Sequence, residues 1–100
     1  MTNIVSTNYD FVNHFLNSTK QIFRDHLVLK DGSILSIQAS ELHYCFPRNN
    51  NADHYETVEI WLYPKNETFF AEWGGDDTTP AAFVPVEKVN EYILKRGGIL

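Results

Sequence analysis

Cysteine is nearly missing from this 100-residue chain: Cys45 stands alone. A single thiol excludes an internal disulfide framework and any Cys-rich metal cluster, so core packing has to hold the fold. Basic residues are scarce too, eight Lys and Arg against thirteen Asp and Glu, for a formal net charge of −5. They are scattered from Lys20 to Arg96, and no stretch forms a basic patch or a basic amphipathic helix. Nucleic acid and anionic membrane surfaces are therefore not expected as partners, because phosphate contacts need Lys and Arg in number. No apolar run approaches the roughly 18 to 20 residues that span a bilayer. The opening Met-Thr-Asn has neither a basic region nor an apolar core, so a cleaved signal peptide is not expected and a cytoplasmic location is. Internal repeats, low-complexity tracts and linkers are lacking, which leaves one small domain over residues 1–100.

What remains is ordinary globular material, 43 % apolar and 21 % charged. Thr7-Asn8-Tyr9-Asp10 resembles a capping box with Asp in place of Glu. Phe11, Val12, Phe15, Leu16, Ile22 and Phe23 then recur every three to four residues. That spacing predicts a helix over 8–25, with Asn13, Asn17, Lys20 and Arg24 on its outer side. Asp31-Gly32 predicts a hairpin over 27–38. Residues 41–46 read as a strand that turns Leu42, Tyr44 and Phe46 one way and Glu41, His43 and Cys45 the other.

The clearest strand is 54–63, where Val58, Ile60 and Leu62 alternate with Tyr55, Glu59, Trp61 and Tyr63. A turn at 64–67 and a returning strand over 68–73 are expected next, then a punctuated loop and a short edge strand at 81–84. Pro85 suits a helix start and Gly97-Gly98 a helix stop. The order is α-β-β-β-β-β-(β)-α: an α+β fold with helices at both ends, an antiparallel sheet of four to five strands between them, and both helices on one sheet face.

Candidate chemistry is thin. His43 and Cys45, with His54 and Glu56 across a hairpin, could face one metal ion, but their spacing matches no strong signature. The bland reading makes Cys45 a small buried hydrophobe. A Cys/His nucleophile pair lacks the setting that lowers a thiol pKa. Glu59 and Glu72 could form a carboxylate pair if 54–63 and 68–73 were neighbouring strands. Gly74-Gly75 precedes two aspartates rather than a Lys, so it is no phosphate loop. No catalytic, cofactor or metal residues are assigned, and the chain reads as a binding protein more than as an enzyme.

The acids and rings are the informative feature. Residues 53–77 hold seven acids against Lys65 alone, so the segment carries −6 and the rest of the chain +1. The same segment contains Tyr55, Trp61, Tyr63, Phe69, Phe70 and Trp73. If the helices cover the Val58–Ile60–Leu62 face, the rings opposite form an open platform among acids, a protein-interface pattern. Partner binding is accordingly expected from Glu59, Trp61, Tyr63, Glu72, Trp73, Asp76 and Asp77, with the charge steering a basic partner. By analogy of size and charge, this describes a bacterial or phage inhibitor or immunity-type protein that docks a basic enzyme such as a nuclease. The alternatives are a small-ligand or enzymatic domain with a pocket on the open sheet face, and a homodimeric structural module. The chain is expected as a monomer or homodimer.

Overall fold

The computed structural model describes residues 9–63, 68–76 and 78–100. Two helices, α1 (Phe11–Ser18) and α2 (Val86–Lys95), flank a four-stranded antiparallel sheet of β1 (Leu27–Val28), β2 (Ile34–Gln38), β3 (Thr57–Tyr63) and β4 (Ala81–Pro85). The strands pair in sequence order, and Leu35–Leu62, Ile37–Ile60 and Val58–Val84 lie opposite one another. Among the described residues no helix is long and apolar enough to cross a membrane.

Period-two patterning decides the sheet. Val58, Ile60 and Leu62 are buried while Thr57, Glu59, Trp61 and Tyr63 are half-buried. Val12 and Leu16 of α1 and Val89 and Ile93 of α2 join the aliphatic side in one core. Both helices therefore cover the same sheet face, as the α+β reading requires. The outer side of β1 is closed by the chain's own end: Lys30 N donates to Gly98 O, and Leu100 N to Val28 O. Gly97 and Gly98 stop α2 in left-handed conformations, φ 89° and 95°, which return the chain to that edge.

Helix α1 is shorter than its periodicity predicts. Asp10, not Thr7, is the N-cap, its Oδ1 accepting from Asn13 N at 3.0 Å; the rest of the expected box lies outside the described residues apart from Tyr9. The helix stops at Ser18 because Arg24 folds back on its last turn. The guanidinium donates to Thr19 O at 2.6 Å, Leu16 O at 3.2 Å and Ala39 O at 2.8 Å. Carbonyls left over at a helix end thus find donors without another helical turn. Arg24 and Asn13, expected outside, are only 4 % and 5 % exposed, whereas Ile22 and Phe23, expected on the apolar stripe, face solvent.

Two expected strands are not strands. Residues 41–46 form turns and bends, with one bridge between Phe46 and Thr57. Their alternation survives: His43 and Cys45 are buried on one side, while Leu42, Tyr44 and Phe46 are exposed on the other. Thr68–Trp73 is a 3₁₀ segment, not a strand, and β4 takes the place beside β3. Phe70 explains the choice: buried against Tyr92 of α2 at 5.5 Å, it anchors the segment in the core. Glu59 and Glu72 consequently do not stand on neighbouring strands. The expected turn at 64–67 lies outside the described residues.

Candidate functional site

The helix-free face of β3 carries Glu59, Trp61 and Tyr63 in a row, opposite Gln38, Ser36 and Ile34 of β2. The Tyr63 ring lies 4.2 Å from that of His26. Glu59 is engaged: its Oε1 accepts from Tyr44 N at 3.0 Å and holds the 41–46 segment to this face. The bridge to Thr57 places Phe46 on the same face.

Across from Glu59 the ladder is irregular. Val58 pairs with Val84 and Ile60 with Ala81, so Ala82 and Phe83 together oppose Glu59 in a β-bulge. Phe83 absorbs it with φ 53°, a left-handed conformation that costs a non-glycine residue about 1–2 kcal/mol. Its N–H is turned out of the ladder to donate to Tyr44 O at 3.0 Å. The Phe83 and Tyr44 rings stand 5.9 Å apart, and the Arg48 guanidinium lies 5.4 Å from the Tyr44 ring centre. Tyr44, Phe46 and Phe83 remain 55 %, 56 % and 44 % exposed although backbone hydrogen bonds fix all three. Together with Glu59, Trp61 and Tyr63 they form a ring-rich surface beside a carboxylate.

Beneath this surface lies a buried polar support. His43 Nδ1 meets Ser40 Oγ at 2.6 Å, and the same hydroxyl accepts from Leu42 N. Cys45 Sγ donates to Ser40 O at 3.2 Å. Burial lowers the pKa of His43 and raises that of Cys45. A protonated thiol beside a fully buried serine has no reach to substrate, so this cluster shapes the loop that displays Tyr44 and Phe46.

The remaining expected partner-binding residues stand elsewhere. Trp73 packs on the core, its ring 6.1 Å from that of Phe70, and Glu72 beside it is exposed. Asp76 turns inward on its own loop: its Oδ1 accepts from Thr78 N and Thr79 N, and these hydrogen bonds hold its carboxyl below the ordinary range. Asp77 lies outside the described residues. Tyr55, expected among the platform rings, is buried, its hydroxyl donating to Asn49 O. Of the seven residues singled out from the sequence, the structure brings Glu59, Trp61 and Tyr63 together. Sequence reasoning missed Tyr44, Phe46 and Phe83. The preference of Cys45 for burial was a signal that its neighbours 44 and 46 face outward; Phe83 carried no signal.

A cavity of about 520 Å³ adjoins Phe46, where Glu56 N and Thr57 N both donate to Phe46 O. Its walls include Tyr9, Asp10, His54, Glu56, Glu87 and Asn90. Burial opposes the charge on Asp10, yet hydrogen bonds from Asn13 and Asn90 outweigh it and lower the carboxyl's pKa. Thr57 also lines the cavity, and its buried hydroxyl has no hydrogen-bond partner. His54 and Glu56 belong to this cavity while His43 and Cys45 are buried beneath the loop. Among the described residues no three His, Cys, Asp or Glu side chains gather as metal ligands. Searches against protein-family models, curated proteins and solved structures find no match to this chain.

Proposed function

We propose that this protein is a cytoplasmic protein-binding module, of the inhibitor or immunity type, that docks a basic partner through the helix-free face of its sheet. The supporting observation is the display of Tyr44, Phe46 and Phe83 around Glu59. Large rings held in the open by fixed backbone supply anchor area at little cost in side-chain entropy. A strained Phe83 within that surface fits a residue kept for contact more than for stability. The formal net charge of −5 favours encounter with a positively charged protein, such as a nuclease whose substrate is itself polyanionic.

The test is affinity capture with the wild-type chain and with a Tyr44→Ser/Phe46→Ser double variant. Both side chains are exposed, so the variant keeps the fold, checked by an unchanged melting temperature. The expected result is a basic protein retained by the wild type, released by high salt and absent with the variant. Equal retention by both chains would remove this face from the docking surface.

A further inference from the structure

Ser40 and His43 stand at the root of the segment that displays Tyr44 and Phe46, Ser40 fully buried and His43 nearly so. Ser40 Oγ accepts from Leu42 N at 3.0 Å. Its own hydroxyl proton goes to His43 Nδ1, 2.6 Å away, which makes Nδ1 an acceptor and the imidazole neutral. A proton added at Nδ1 sets two donors against each other, and the buried hydroxyl loses the acceptor for its own proton. The Phe23 ring packs edge-on against the imidazole at 5.3 Å. The charged groups around His43 pull in opposite directions: Glu59 of β3 favours an imidazolium and Arg24 disfavours one. Cys45, the titratable group in the same cluster, stays a thiol because burial raises its pKa. Burial outweighs the attraction of Glu59, so the closed segment holds a neutral histidine.

We infer that His43 is a proton-operated latch on the docking face: a neutral imidazole holds the 40–46 segment down, and an imidazolium lets it lift and withdraw Tyr44 and Phe46. Local hydrogen bonds tie the segment to the sheet. Tyr44 N donates to Glu59 Oε1, Phe83 N to Tyr44 O, and Phe46 and Thr57 exchange backbone bonds. Opening breaks these and leaves the β2–β3 pairing in place. The open segment returns His43 to water, where it binds a proton at the ordinary value of 6.5. The closed segment binds it more weakly, so a falling pH favours the open form. A partner would be held at neutral pH and released on acidification. The latch rests on the docking reading above and adds to it the condition under which the partner is let go.

Native-state hydrogen exchange of the ¹⁵N-labelled full chain tests the latch without the partner. Protection of the Tyr44, Phe46 and Phe83 amides, corrected for intrinsic rates, should fall at least about threefold between about pH 7.5 and about pH 5.5. That exchange should be nearly independent of low urea, whereas the slowest amides of the β2–β3 ladder follow global unfolding. His43→Gln cannot titrate, so its three amides should lose the pH response. The wild-type ring supplies a check that needs no variant: the His43 Cε1–H shift should titrate together with the Tyr44 amide shift. Protection unchanged with pH, an exchange with the full urea dependence of the ladder, or an equal fall in His43→Gln overturns the latch. So does a His43 ring that titrates without the Tyr44 amide. Any of these results, with capture still dependent on Tyr44 and Phe46, removes the latch alone. A pH-responsive segment with capture independent of those rings removes the docking face alone.

Discussion

The side-chain amide of Asn13 forms a two-point bridge with the backbone of Tyr55. Its Oδ1 accepts from Tyr55 N at 2.7 Å and its Nδ2 donates to Tyr55 O at 3.0 Å, joining α1 to the approach of β3. Tyr55 thereby has both peptide groups satisfied at a buried point where no strand pairs with it. Asn13→Ala leaves that donor and acceptor unmet and should cost about 2–4 kcal/mol in urea unfolding. Asn13→Asp should cost at least as much, since it keeps an acceptor but loses the donor and adds charge beside Asp10. A loss below about 0.5 kcal/mol would mean that water replaces the bridge.

Arg24 is a buried cation whose guanidinium donates to three backbone carbonyls, those of Thr19, Leu16 and Ala39. Burial lowers its pKa, while Tyr55 close by opposes that shift. Only the planar fork reaches three carbonyls at once, so lysine is not a conservative replacement. Arg24→Lys should destabilise nearly as much as Arg24→Met, each by about 2–4 kcal/mol. Calorimetric melting of the two variants checks this, and a lysine variant that melts with the wild type would show that one contact suffices.

His43 gives the fold a pH dependence with a definite sign. Burial, aided by Arg24 and opposed by Glu59, places its folded pKa below the ordinary value near 6.5. The unfolded chain therefore binds the proton first. Stability is complete above about pH 6.5 and falls as the pH drops toward the folded value. Urea midpoints at several pH values should show this slope in the wild type and a reduced slope in His43→Gln. Identical slopes would assign the dependence to other groups.

Phe83 sets strain against contact. Phe83→Gly relieves the positive φ but gives up the ring's partial cover, so its stability should lie within about 1 kcal/mol of the wild type. Phe83→Val keeps apolar character yet suits the left-handed region worse, and should be the less stable of the two. Under the docking reading both should lose partner capture. A valine variant as stable as the glycine variant would mean that the bulge relaxes at no cost.

Trp61 and Trp73 separate by location. Trp73 packs on the core through Phe70, so Trp73→Ala should cost about 2–3 kcal/mol. Trp61 lies on the opposite face over Ser36, so Trp61→Ala should cost less and act mainly on partner capture. Denaturant unfolding beside capture assays tests the pair, and the reverse order of stability would place the structural tryptophan on the helix-free face.

Local patterning by itself determined the α+β class, the 27–38 hairpin, the buried row Val58–Ile60–Leu62 and the C-terminal helix with its glycine stop. Each depends on interactions within a few residues or on strict alternation, which sequence states directly. It also placed Glu59, Trp61 and Tyr63 on one face. Only the tertiary structure decided the rest. Whether Leu42-Tyr44-Phe46 or His43-Cys45 faces inward depends on Ser40 and Glu59, groups that meet the segment through the fold. Residues 68–73 could satisfy their pattern as a strand, but the chance to bury Phe70 against Tyr92 made a 3₁₀ segment instead. Arg24 and Asn13 looked like surface residues because their partners are backbone atoms, which no residue pattern displays. The scarcity of cysteine said that packing holds this fold, and the scarcity of basic residues set the formal net charge of −5. The display of Tyr44, Phe46 and Phe83 came from long-range hydrogen bonds that leave these three rings facing solvent.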